Sequence, residues 1–318
     1  MKDIVRGAHF RGVDAAPAPH ALLATLDAVA AREGVRRLKR RGLDMLAVTA
    51  GQRLLDVGCG MGDDVRALAD LTGPSGLVVG VEPSEVLLAE ARRRAADSPL
   101  PLGFAAGDAR DLPFPAGSFD ACRAERVFQH LPDPLRALRE MIRVTRPGGR
   151  VLVLDTDWGT TAVNGAGRRL TRRILEGFGD HITQGWIGRQ LPGLFHRAGL
   201  NDIVVAAETS WSRERSAATD RPCPQLAAGA VDQGAVTAEE ARHWLDQLAG
   251  AADAGTFLWA TTGFAVAATT PVSSSRSSVA RTAAPATSDR LRGGGVALPQ
   301  RQGRGGGGIR RAGLGWSS

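Results

Sequence analysis

Three glycines at alternate positions, Gly58, Gly60 and Gly62, follow the short apolar run "RLLDV" (53–57). A glycine turn after a strand lets a ligand approach the backbone with no Cβ in the way, and the helix that follows offers unpaired N–H groups to a nucleotide. The dinucleotide fingerprint Gly-x-Gly-x-x-Gly, counted from Gly58, requires glycine at 63. That position is Asp63, and the third glycine falls at 62. The turn therefore departs from the nicotinamide pattern, and alone it also fits an ordinary tight turn. Acids recur in step with it. Asp56 stands immediately before the turn, Glu82 and Pro83 end "LVVGVEP", and Asp108 and Ala109 follow "LGFAAG". "ERVFQHLPDP", from Glu125 and Arg126 to Pro134, follows "SFDACRA". A carboxylate accepts from hydroxyl pairs and amines, the chemistry of a nucleoside site. Each acid also has a plainer reading: Asp56 as acceptor for turn amides, Glu82 and Asp108 as caps, Asp63 and Asp64 as first-turn acids favoured by the helix dipole.

The elements that must position these residues read as alternating strands and helices. Apolar runs at 53–57, 77–81, 102–107, 118–125, 150–157, 202–209 and 255–270 predict seven strands, the last with Gly263 as a possible bulge. Between them, helical spacing predicts helices at 63–71, 85–96, 135–145, 187–200 and 237–251. Ser84, and Asp133 with Pro134, supply helix-start signals. Residues 20–48 read as two helices divided near Gly34 and Gly42, and 160–180 as an inserted helix. Strand–helix alternation with continuous apolar strands implies an α/β fold: a doubly wound, mainly parallel sheet with helices on both faces, binding ligand at the strands' carboxyl ends.

In that order, the glycine turn, Glu82, Asp108 and "RVFQHLPDP" resemble the class I S-adenosylmethionine-dependent methyltransferases. The likeness is to the ubiquinone/menaquinone-methyltransferase-like branch acting on small molecules, strongly over 50–156 and loosely over 20–270. The resemblance implies a Rossmann-like sheet of seven strands with the last antiparallel, S-adenosyl-L-methionine as cofactor, and a small-molecule acceptor. It places Asp56, Gly58, Cys59, Gly60, Gly62, Glu82, Pro83, Asp108, Ala109, Glu125 and Arg126 around the cofactor. Glu82 would take the ribose hydroxyls, Asp108 the adenine amino group, and the Ala109 N–H the ring. His130 is the candidate base, or a residue that shapes the cofactor pocket; Asp157, and less so Asp155, stand on the same rim. Trp158, Phe178, His181 and Trp186 are candidate acceptor-binding residues, or simply a small core; Phe10 and the first helices are expected to cover the cofactor from the other side. A nucleic-acid or protein methyltransferase, or a non-catalytic cofactor-binding module, stays open. "ERVFQHLP" lacks the Asn/Asp-Pro-Pro-aromatic motif of amino-directed DNA enzymes.

The domain reading is a helical lead-in over 1–50, a cofactor-binding domain over 51–270 with a lid insert at about 158–190, and a disordered Arg/Gly/Ser-rich tail over 271–318. The formal charge of +7 lies wholly in that tail, which holds eight arginines and one aspartate. The body has 40 − 8 = 32 basic and 33 − 1 = 32 acidic residues, so no nucleic-acid partner is expected. The three cysteines are far apart, which predicts neither a disulfide framework nor a metal site. The start has no apolar signal-peptide core and no run reaches membrane-span length; a cytoplasmic monomer or homodimer is expected.

Overall fold

A computed structural model describes Asp14, residues 19–213 and residues 222–272. Phe10 and nearly all of the Arg/Gly/Ser-rich tail lie outside the described residues. Seven strands, β1 (Arg53–Val57), β2 (Leu77–Glu82), β3 (Leu102–Ala106), β4 (Phe119–Glu125), β5 (Thr145–Asn164), β6 (Asn201–Ser212) and β7 (Leu258–Thr269), form one sheet. Their order is β3-β2-β1-β4-β5-β7-β6. The first five pair in parallel, and β7 runs antiparallel to both β5 and β6. The expected antiparallel last strand is present. The chain reverses its direction of travel across the sheet between β1 and β4, the switch point at which such sheets bind ligands.

Alternation along the strands sends side chains to two layers. Leu54, Leu152, Leu154, Ala265 and Ala267 pack with Leu38 and Leu46 of α2 (Glu33–Leu46) and with Val65 and Leu68 of α3 (Asp63–Thr72). Leu55, Val57, Val151, Val153 and Val266 pack on the opposite face against α5 (Pro134–Val144) and α7 (Ile187–Arg197) through Leu138, Met141, Leu191 and Phe195. The sequence-derived caps are in place. Ser84 accepts the Leu87 N–H at the start of α4 (Glu85–Arg94), and Asp133 accepts the Arg136 N–H beside Pro134.

A third core lies apart from these two. Ile174 and Phe178 of α6 (Arg168–His181), Leu226 and Ala230 of α8 (Pro222–Asp232), and Trp244 and Leu248 of α9 (Ala238–Asp253) enclose it with Phe257 and Trp259. Here the structure departs from the sequence reading. β5 continues to Asn164, so the inserted helix begins at Arg168 rather than near 160. Helix α8 had no sequence counterpart; its Pro222, Pro224 and alanines hide a helical pattern. Gly263 is not a bulge: it pairs regularly with Thr156 and Glu208, and the register slip falls between Asp157 and Ala162 instead.

The glycines of the first helices serve packing. The break falls between α1 (Pro19–Ala30) and α2, and Gly42 lies inside α2. Gly34, Leu38, Gly42 and Leu46 form the buried strip of α2. A Cβ on Gly34 would sit 2.6 Å from the Ser210 Cα, and one on Gly42 would sit 3.0 Å from Leu154 Cδ2. Gly263 is small for the same reason, since Leu38 Cδ2 would lie 2.7 Å from a Cβ there. Helix and sheet thus meet at backbone distance. Gly34→Val will force α2 off β6, at a cost of about 1–3 kcal/mol for overpacking. The expected result is a fall of several degrees in Tm by thermal denaturation; an unchanged Tm would show that this contact is not tight.

Candidate active site

The turn after β1 is held in a left-handed conformation at all three glycines, with φ of 70° at Gly58, 52° at Gly60 and 74° at Gly62. Two of them are pressed by neighbours: a Cβ on Gly58 would meet Val127 Cγ2 at 2.3 Å, and one on Gly62 the Phe104 ring at 2.7 Å. Gly60 differs, because a Cβ there would meet nothing within 4 Å. The tip of the turn faces open space. Glu82, at the end of β2, is only 7% exposed. Its Oε2 accepts the Gly60 N–H at 3.1 Å and its Oε1 accepts the Ser84 N–H at 3.2 Å. Each oxygen keeps a lone pair for a further donor. Burial pushes the Glu82 carboxyl above its ordinary range, opposed by those two N–H bonds. Asp14 reaches the same corner. It accepts from the Ser84 hydroxyl at 2.5 Å and from the Glu85 and Val86 N–H groups, and the Ser84 bond holds its carboxyl low.

Beneath the turn lies a buried ion cluster. Arg123, on β4 and 3% exposed, puts Nη1 at 3.5 Å from Asp56 Oδ1 and 2.9 Å from Asp64 Oδ2, and Nη2 at 2.6 Å from Glu125 Oε2. Lys39 of α2 joins from the side, 2.9 Å from Asp64 and 3.3 Å from Glu125. Asp56 and Glu125, expected beside the cofactor, are therefore tied to Arg123, and Asp64 is an ion-pair partner rather than a dipole acid alone. Burial drives Asp56 upward against the pull of Arg123. For Asp64, burial also raises the carboxyl, but Arg123 and Lys39 outweigh it and hold it low.

Asp108 follows β3 with its carboxylate in the fork of Arg110, whose Nε lies 2.9 and 3.1 Å from the two oxygens. Ala109 beside it is buried. Cys59 is buried, its thiol pushed up by that burial, and its sulfur explains Gly80, where a Cβ would lie 2.6 Å from it. Arg126 adopts φ 55°, and its N–H donates to the Leu154 carbonyl at 2.8 Å. His130 closes the short 3₁₀ turn Phe128–His130, donating its backbone N–H to Val127 O at 3.0 Å. Asp155 is buried at the end of the regular part of β5, where Oδ2 accepts the Gln129 N–H at 3.0 Å. Asp157 is fully buried and engaged by Arg189 of α7, with Nη2 at 2.7 Å from Oδ1 and Nε on Oδ2. That clamp ties α7 to β5 and takes up both carboxylate oxygens.

The four aromatic and histidine candidates divide. Trp158 and Phe178 meet edge to face at 5.1 Å, and His181 lies near Phe178 around Gly229 of α8. Trp186 stands elsewhere, 54% exposed with the Arg189 guanidinium 4.7 Å above its ring. Sequence reasoning missed the residue that joins the first group to the β4 loop. Gln129 donates toward the Arg126 carbonyl, accepts from Trp158 Nε1 at 2.7 Å and from the Gln184 N–H at 3.0 Å. It missed Arg123 and Lys39 as well. An arginine inside the apolar strand "FDACRAE" was the available signal, since a buried charge requires partners.

Among the described residues, no group of His, Cys, Asp and Glu is arranged to hold a metal ion, and no helix is long and apolar enough to cross a membrane. Open space at Gly60 stands beside the buried Glu82 carboxylate, whose oxygens accept the Gly60 and Ser84 N–H groups.

Comparison with known proteins agrees. Residues 55–153 match the family model described as a methyltransferase domain. A 37.1 kDa protein in transposon TN4556 of Streptomyces fradiae is 36% identical over 245 residues, 76% of this chain and 70% of that one. Demethylmenaquinone methyltransferase of Staphylococcus epidermidis is 32% identical over 186 residues, covering 54% of this chain and 77% of that enzyme. Among solved structures, Haemonchus contortus phosphoethanolamine N-methyltransferase 2 superposes with a TM-score of 0.53 at 17% identity, over 81% of this chain and 59% of that one, and shares the fold. The chain belongs to the class I S-adenosylmethionine-dependent methyltransferases. Within that class it falls in the menaquinone-methyltransferase-like branch, whose small-molecule enzymes are its relatives.

Two outcomes follow from the ion network. Arg123→Met leaves three carboxylates with one lysine and should cost about 3–5 kcal/mol, read as a lower denaturant midpoint; a neutral effect would show that the cluster is dispensable. Asp155 gives a pH signature. Burial raises its carboxyl to about 7 against the Gln129 and Thr156 N–H bonds and Arg126. Between about pH 4 and pH 7 the folded chain holds a proton there that the unfolded chain has released, so stability falls as pH rises through this window. Asp155→Asn should flatten that fall, and an unaltered pH profile would assign the slope to other groups.

Proposed function

We propose that the chain methylates a small apolar or aromatic acceptor at O, C or N, with S-adenosylmethionine as donor and by in-line displacement. The observation that carries this reading is the pairing at the switch point: open space at Gly60 beside a Glu82 carboxylate fixed by two backbone N–H bonds. The cofactor supplies an electrophilic methyl on a sulfonium. The chain's own task is to align a nucleophile with that methyl and to exclude water.

Glu82 has the free lone pairs to accept from both ribose hydroxyls, and the backbone of Gly58, Cys59, Gly60 and Gly62 lets the ligand close in without side chains. Pro83 carries the chain through the bend between Glu82 and the Ser84 cap. Asp108 accepts from the adenine amino group, with Arg110 sharing or yielding one carboxylate oxygen, and Ala109 flanks the ring. Asp56, charge-balanced by Arg123, presents a negative field toward the methionine ammonium, where the backbone of Glu125 and Arg126 also lies. His130 stands past β4, either as the base that removes a proton from the acceptor or as a wall of the pocket. Trp158, Phe178 and His181 form the apolar side on which an aromatic acceptor rests, with Gln129 fixing the Trp158 indole. Trp186 has a second use as an exposed lid aromatic over Arg189. Asp157 positions α7 through its Arg189 clamp.

Calorimetry on the full chain tests the donor site: S-adenosylmethionine binds and NAD does not, whereas the reverse preference defeats the reading. Glu82→Ala removes two hydrogen bonds to a charged acceptor and should weaken binding about 10- to 100-fold. A screen of quinols, phenols, polyketides and sterol-like lipids with methyl-labelled cofactor identifies the acceptor. On the acceptor found, His130→Asn separates the two histidine roles. A drop of about 100-fold or more in kcat with unchanged cofactor affinity assigns the base; a loss of cofactor affinity assigns the wall.

A further inference from the structure

The carboxyl edge of the sheet carries a second cavity, beyond the glycine turn. It is a cleft of about 410 Å³ lined by Ala28, Arg32 and Gly34 at the junction of α1 and α2, by Ser210 and Ser212 at the end of β6, and by Trp259 of β7. The volume is that of a small-molecule site. Arg37 also lines it but is matched by Glu208 at 2.7 Å and Glu33 at 3.9 Å.

Arg32 is not matched. Its Nε and Nη2 are buried and make no hydrogen bond, and no ion pair reaches it among the described residues. The Trp259 indole N–H is buried and equally unused. Arg126 Nε is also buried without a hydrogen bond; the charge of its guanidinium acts on Arg32, and its acidic neighbours are Glu125, with Oε1 at 3.5 Å, and Asp155. Burial first, and the like charge of Arg126 second, pull Arg32 down to about 10. Every one of these unsatisfied atoms is an N–H donor. Buried donors without acceptors cost about 1–3 kcal/mol each, more when charged, and two arginines drawn together add repulsion. An acceptor-rich, negatively charged group in the cleft would satisfy the Arg32 guanidinium and the Trp259 N–H.

We infer that this cleft binds a carboxylate on the methyl acceptor, held by the Arg32 guanidinium with help from the Trp259 indole N–H. The inference rests on the proposed methyl transfer and deepens it: the acceptor is an aromatic or apolar acid rather than a neutral molecule. A planar guanidinium fork matches a carboxylate in two parallel hydrogen bonds. The acid anchors one end of the acceptor in the cleft while its apolar body lies against Trp158 and Phe178.

The test uses the full chain saturated with S-adenosylhomocysteine. Hydroxybenzoates and hydroxycinnamates are titrated calorimetrically against their primary amides and against aryl phosphates. The acids are expected to bind at least about 10-fold more tightly than the amides, as a charged hydrogen-bonded pair provides. Arg32→Gln should erase that difference, leave the S-adenosylhomocysteine affinity unchanged, and raise Tm, since it removes a buried unmatched charge. Equal binding of acid and amide, or binding of neither, overturns the inference. Preference for the phosphates replaces the carboxylate and overturns it too. A loss of S-adenosylhomocysteine affinity in Arg32→Gln also overturns it, assigning the guanidinium to the cofactor. Failure of the unaltered chain to bind S-adenosylhomocysteine at all would instead remove the methyl-donor reading.

Discussion

Arg123 is the charge on which the donor half of this fold depends. It sits in the centre of the sheet, where an isolated guanidinium would be untenable, and it is tolerable because carboxylates from β1, α3 and β4 surround it. The dependence runs both ways. Asp56, Asp64 and Glu125 could not be brought together under the glycine turn without it, since like charges in a buried site repel strongly. Lys39 extends the network to α2, so the same cluster that fixes the turn also fixes the helix covering the sheet. Such clusters add little net stability, because desolvation offsets most of the attraction. What they fix is geometry: the ends of β1 and β4 keep one spacing, and that spacing sets the space opposite Gly60.

The places of the glycine turn and of the acids at the strand ends were legible in the sequence because they are set locally. The glycine turn, Glu82 and Asp108 each lie within a few residues of a strand's end, so their place follows from strand periodicity and parallel pairing. The caps at Ser84 and Asp133 were legible for the same reason. The contacts around Gln129 and Arg32 were not, because they cross long stretches of chain. Gln129 meets Trp158 and Gln184, and Arg32 lies beside Arg126; no spacing rule connects such pairs. Asp157 illustrates the limit. It lies on β5 and is buried, and the partner that engages its carboxylate, Arg189, is 32 residues away on α7.

The N-terminal helices show a related effect. From sequence, Gly34 and Gly42 signal helix breaks, yet Gly42 lies within α2 and both serve close approach to the sheet. A glycine reads alike whether the chain turns there or a neighbour's backbone comes near. Only the partner, Ser210 or Leu154, distinguishes the cases, and the sequence does not name it. The short N-terminal piece described at Asp14 reaches the same helix start as Ser84.

The third hydrophobic core has a separate consequence. Every residue in it falls between Trp158 and Trp259, whereas the glycine turn and its carboxylates come from residues 56–125. The third core and the glycine turn with its carboxylates thus come from non-overlapping stretches of the chain. They join mechanically through the run of β5 and β7 beyond the register slip at Asp157. Substitutions within the later stretch can therefore repack the third core while leaving the glycine turn and its ion cluster untouched.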